Sequence, residues 1–304
     1  FLAHICHMGA SPFVQMSQSL GHGCGIIPVS GTMTELQTQY DHLYLSPHFD
    51  DVSLSCGGQI YRHTAIGDTV LVVTLTAGEP PAGYQSDIVV NLHRRWSDGL
   101  DQEPESMVVQ RQGEDREAFA VLRADVLHLP FRDCIYRPGA DGAPLYPGPT
   151  DMFGAFNPAD AGFVDEVASA LAALPPADRV YLPLGVGGHI DHGVTRRAGE
   201  RVFANPGFYE DYPYTMAPGA LEAVLPPATR SEWRPETIWL TNAALEAKIT
   251  SISAYHSQLS SFFTGPEDLA AKLLAEAQRV MTDALVAWEA APDWAVGAER
   301  LWWR

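Results

Sequence analysis

Apolar residues gather along this chain in short dense runs separated by longer stretches with mixed spacing. The segments "DHLYLS" (41–46), "TVLVVTLTAG" (69–78), "DVLHLP" (125–130) and "DRVYLPLG" (178–185) are rich in β-branched, aromatic and leucine residues and are bounded by Gly, Pro, Ser or Asp. That is the pattern of short buried strands. Between them, "SLSCGGQIYRHTAIG" (53–67), "VVQRQGEDREAFAVLRA" (108–124) and "AGFVDEVASALAAL" (161–174) carry apolar residues at helical spacing, as does "EDLAAKLLAEAQRVMTDALVAW" after Pro266. Strand and helix alternate, which predicts an α/β fold: a Rossmann-like, mostly parallel sheet with helices on both faces and a final packed helix. In such folds ligands bind beyond the carboxyl ends of the strands.

Residues 1–32 interrupt this picture, because they hold many Gly, Ser and small apolar residues and no acid or base. They read as an N-terminal extension, vector-derived or upstream of the natural start, with a single domain expected over 33–304. A length of 304 residues with 46% hydrophobic and 18% charged content supports a sizeable core. The formal net charge of −18 argues against nucleic acid as a partner, since phosphate binding rests on clustered Lys and Arg. No run approaches the roughly 18 apolar residues of a membrane span. Cys6, Cys24, Cys56 and Cys134 are scattered without CxxC spacing, so reduced thiols and a cytoplasmic location are expected. The closing "ERLWWR" offers aromatics for a subunit contact, and hence for a homo-oligomer.

Two polar clusters stand where strands are expected to end. The first strand runs into Ser46, Pro47, His48, Phe49, Asp50 and Asp51, and the fourth into "GVGGHIDH" with His189, Asp191 and His192. Capping of the following helix explains one aspartate at most. It explains neither His48 nor the second cluster. Alone, the HxDH group suits a plain surface turn; with the first cluster, the two supply imidazoles and carboxylates to one cleft. That is a zinc-type donor set with room for water.

The sequences PHFDD and HIDH, with a Gly-Gly helix after the first, resemble the PIG-L/LmbE family of zinc-dependent N-acetylglucosaminyl deacetylases over residues 41 to about 262. The family's HPDDE is altered here by Phe49 and Val52, a variant similar to the branch that includes glycopeptide-antibiotic sugar deacetylases. "RQGEDREAFAVL", "LPFRDCIYR", "FYEDYPYT" and "KITSISAYHSQL" follow in family-like order. The resemblance implies zinc held by His48, Asp51 and His192. It also implies Asp50 as general base and then acid, His189 as oxyanion stabiliser, and Asp191 as the group fixing the His189 ring.

Arg111 and Asp133 match positions that bind sugar hydroxyls or an anionic group in relatives; the alternatives are an Arg111–Glu114 surface pair and a solvated loop acid. Tyr209, Glu210 and Asp211 either brace the HIDH helix or touch sugar. The Gly/Pro-rich loop 136–156 is long enough to be a substrate lid. The expected substrate is a small-molecule N-acetylated glycoside. Rival readings are a metal-dependent phosphohydrolase, for which the motifs offer only Arg196 and Arg197, and a non-catalytic glycan-binding relative, which the presence of Asp50 disfavours.

Overall fold

The structure, a computed structural model, describes residues 36–97, 104–287 and 289–304. Residues 1–32, expected to be an N-terminal extension, therefore lie outside the described residues. In chain order the elements are β1 (Tyr40–Ser46), α1 (Asp51–Ala65), β2 (Val70–Thr74), α2 (Asp87–Trp96), α3 (Pro104–Leu122), β3 (Asp125–His128) and α4 (Phe163–Leu171). There follow β4 (Ala177–Pro183), α5 (Ile190–Val202), β5 (Gly207–Tyr209), α6 (Ala220–Val224), β6 (Arg234–Leu240), α7 (Asn242–Ser253), α8 (His256–Phe262), α9 (Pro266–Val286) and β7 (Gly297–Trp303).

One seven-stranded sheet has the order β3-β2-β1-β4-β5-β7-β6. Strands β1 to β5 are parallel, and β7 runs antiparallel to both β5 and β6. Alternation along β1 divides the core between two faces. Leu43 and Leu45 pack with Val164 and Val167 of α4 and Val194 and Ala198 of α5. Tyr44 packs with Val52 and Cys56 of α1 and Phe119 of α3. The Gly-Gly pair in α1 has a packing reason: a Cβ at Gly58 would lie 2.8 Å from Leu240 Cδ2 at the end of β6.

The order reverses between β1 and β4, since β2 lies on one side of β1 and β4 on the other. Loops leaving two such strands part to opposite faces and open a crevice. The two polar clusters follow these two strands. The ending "ERLWWR" is corrected: it lies in β7 or just past it, with Trp302 only 2% exposed and its indole N–H donated to Glu210 at 2.9 Å. Those aromatics complete the sheet and leave a subunit contact without support from this segment. No helix among the described residues is long and apolar enough to cross a membrane.

Candidate active site

The loop after β1 is held by its own polar groups. The Ser46 hydroxyl donates to the His48 carbonyl at 2.5 Å and accepts from the Val52 amide at 3.3 Å. Asp51 Oδ2 accepts from the His48 amide at 2.8 Å and lies 3.0 Å from His48 Nδ1. Asp50 occupies the N-cap position of α1 but makes no capping bond with its side chain. Its carboxylate is 6% exposed and faces Arg111, 3.9 Å away. Burial and the adjacent Asp51 push Asp50 up to about 6, against the pull of Arg111 and His48.

Glycines shape the second loop. Gly187 has φ +85° and sits so close to Tyr214 that a Cβ would meet the ring at 2.6 Å. Asp211, at the end of β5, accepts from the Gly185 and Val186 amides at 2.8 and 2.9 Å and from His192 Nδ1 at 2.6 Å. That bond fixes the His192 tautomer and turns Nε2 towards Asp51 Oδ1, 3.3 Å away. His192 Nε2 is buried and has no hydrogen-bond partner. Burial disfavours its charge, but Asp51 and Asp211 outweigh burial and raise it to about 9. The same balance among burial, Asp133, Asp51 and Asp191 holds His48 well above its usual value.

His48, His189 and His192 each offer a nitrogen within 4.8 Å of the others'. They differ in chemistry. His189 caps α5 and accepts from the Asp191 amide at Nδ1, 3.2 Å away, which leaves Nε2 as an N–H donor. Burial, then the neighbouring His48, keep it well below the usual imidazole range, hence neutral. The expected carboxylate clamp of Asp191 on His189 is corrected here: the tautomer is set by the main chain. The Asp191 carboxylate instead accepts from Arg137 Nη1 at 2.6 Å and the Cys134 amide at 2.9 Å, and lies 3.2 Å from His48 Nε2.

Asp133 joins the site with Oδ2 3.7 Å from His48 Nε2. Arg111 is no surface pair: it is 5% exposed, stacked between Phe49 and Trp96, and Glu114 instead accepts from Ser257. Of the YED residues, Asp211 braces the HIDH loop, and Glu210 binds Arg300 and Trp302. The long loop crosses the site in a fastened form: Gly154 and Gly188 pair at 3.0 Å, and the Ile190 amide donates to Met152 at 2.9 Å. A cavity of about 340 Å³ lies against His189, Phe156 and Arg197. Sequence reading missed Arg137; its only signal was its place in "FRDCIYR".

A mostly parallel sheet with imidazoles and carboxylates beyond its switch point puts a metal-type donor set where α/β folds bind their ligands. The chain belongs to the PIG-L family, GlcNAc-PI de-N-acetylase, whose model matches residues 43–203. It is 30% identical over 184 residues to a 2'-N-acetylparomamine deacetylase of Niallia circulans, covering 57% of this chain and 66% of that protein. It is 32% identical to a protein of the same name from Streptomyces fradiae, covering 57% of each. The matches thus span less than two thirds of these curated relatives. The zinc-inhibited form of teicoplanin deacetylase Orf2 superposes with a TM-score of 0.68 at 27% identity, over 86% of this chain and 97% of that one.

Proposed function

We propose that this protein is a zinc-dependent N-deacetylase that removes acetate from an N-acetylated amino sugar of an antibiotic-type glycoside. The observation that carries this reading is Asp50: a buried carboxylate with no cap to make, raised towards neutrality, beside a cluster of imidazoles. The likeness to 2'-N-acetylparomamine and teicoplanin deacetylases supports the substrate class.

The donor set fits a divalent ion. His48, Asp51 and His192 would hold it: Asp51 lies between the two imidazoles, and His192 Nε2, buried and turned towards Asp51, offers a lone pair there once its proton leaves. When bound, zinc polarises an amide carbonyl and lowers the pKa of water towards roughly 7. Asp50 takes the proton of the attacking water as its oxygen bonds to the acetyl carbon. Asp50 then returns that proton to the sugar nitrogen as the C–N bond breaks, leaving acetate and a free amine. His189, neutral and with Nε2–H free to donate, stabilises the negative oxygen that forms in between. Asp191, tied to Arg137, fixes the loop amide that orients His189. Arg111, 3.9 Å from Asp50, and Asp133, 3.7 Å from His48, would hold sugar hydroxyls.

The test is acetate release from 2'-N-acetylparomamine, an N-acetylglucosaminyl glycopeptide and N-acetylglucosaminyl phosphatidylinositol, each with and without a chelator. Chelator-sensitive release from either of the first two is expected. No release from any of them, or release indifferent to chelator, overturns the reading.

A further inference from the structure

We propose that Tyr214 is a further catalytic residue, its phenol O–H donating to the acetamide oxygen as that oxygen becomes negative. This role rests on the deacetylase reading above and gives the site a second donor besides His189.

Tyr214 opens a 3-10 turn (Tyr214–Met216) three residues after Asp211. The turn is fastened: the Thr215 amide donates to the Asp211 carbonyl at 3.2 Å, the Ala217 amide to the Tyr214 carbonyl at 3.1 Å, and the Thr215 hydroxyl to Glu276 at 3.2 Å. Asp211 is also the carboxylate that orients His192, so the phenol and that imidazole are set by one short segment.

The ring is placed by what it touches. Its root sits over Gly187, where an added Cβ would lie 2.8 Å from Tyr214 Cβ and 2.6 Å from Cγ. It stands edge-on to His192, with ring centroids 5.5 Å apart at 86°, and to Phe153, at 5.9 Å and 67°. His189 in turn lies 5.1 Å from Phe153 and 5.4 Å from His192. The four rings close a collar in which Tyr214 and His189 occupy opposite corners. Because the root is at Gly187, the hydroxyl is carried away from that backbone, into the field of Asp51, Asp50, Asp211 and Asp133.

The fold makes no use of this hydroxyl. Among the described residues it has no hydrogen bond, and it is not sealed from solvent. Neighbouring phenols are engaged: Tyr209 donates to the Leu45 carbonyl at 2.8 Å and Tyr255 to Asp115 at 2.7 Å. Burial, then the four carboxylates, hold the Tyr214 phenol well above its usual value, so it keeps its proton. A donor without a partner is thus aimed into the cluster.

The reaction gives that donor a task. Attack on the acetyl carbon makes an oxyanion among carboxylates that disfavour further negative charge. A fixed, neutral O–H lowers the cost, and the proton stays on the phenol throughout. A ring kept only to fill the space over Gly187 would do so equally well as phenylalanine.

Tyr214→Phe in the full-length, zinc-loaded chain separates the two roles, assayed on whichever of the three substrates above the parent deacetylates. Melting temperature, zinc content and KM should stay near parental while kcat falls on the order of 10²-fold. A tetrahedral phosphonamidate analogue of the same substrate should lose affinity by a similar factor, with binding of the free amine product unchanged. Parental kcat in the variant overturns the proposal and leaves the deacetylase reading standing, as does a loss confined to KM or one that follows loss of zinc. A parent protein inactive on all three substrates overturns the reading itself, and the role of Tyr214 falls with it.

Discussion

Asp50 is costly to keep charged and costly to bury, since the helix it precedes makes no use of its side chain. Asp50→Asn keeps the volume and removes the charge, so it should leave melting and zinc content near parental while turnover falls by roughly 10²–10⁴-fold. A carboxylate must be ionised to accept a proton, so parental turnover should rise with pH through about 6, or lower once a bound cation pulls Asp50 down. Near-normal acetate release by the variant at saturating zinc would move the base elsewhere. The neighbouring imidazoles divide in another way. His189→Ala should lower kcat on the order of 10²–10³-fold with zinc retained, because its Nε2–H acts on charge that appears only in the transition state. His192→Ala should lose the catalytic ion. Metal analysis that found the reverse would exchange the two roles.

At the scale of elements, the loop between β4 and α5 decides where His189 points. Gly187 holds φ +85° against Tyr214, so Gly187→Ala sets a Cβ into that ring and places an alanine in the left-handed region. The backbone term alone is about 1–2 kcal/mol. A lower melting temperature is expected together with a larger fall in acetate release than in zinc content, and parental values for all three would mean that the loop tolerates the change. This loop also shows how far the sequence reaches. β1 to β4 were legible because each carries a short apolar run, buried through β2 and nearly all of β1 and over the second half of β3 and β4. β5 has only three residues, β6 ("RPETIWL") opens exposed, and β7 ("GAERLWW") carries Glu299 and Arg300 mid-strand, so none has that signature. His48, Asp51, His189 and His192 were legible because they cluster in the chain. Arg137 and the bond of Asp211 to His192 were not, since they arise from segments that meet only in the folded molecule.

Across the whole molecule, the sheet order puts β1 beside β4 at the point of reversal, and so makes one cleft of two motifs about 140 residues apart in sequence. That cleft links folding, protons and metal. In the metal-free protein His192 is raised from 6.5 to about 9, a stabilising shift present in full below pH 6.5 and lost as pH climbs through 9. The difference corresponds to about 3 kcal/mol at most. A metal ion can take the imidazole nitrogen only after that proton leaves, so zinc affinity should rise with pH over this window. The zinc-loaded protein, free of the protonation requirement, should keep its stability where the stripped protein loses it. Thermal denaturation at pH 6.5 and pH 9, with zinc and with chelator, is therefore expected to give a wider gap in melting temperature at pH 9. His192→Ala should abolish that widening. An equal gap at both pH values would mean that no proton is displaced, and that the ion is not held by His192.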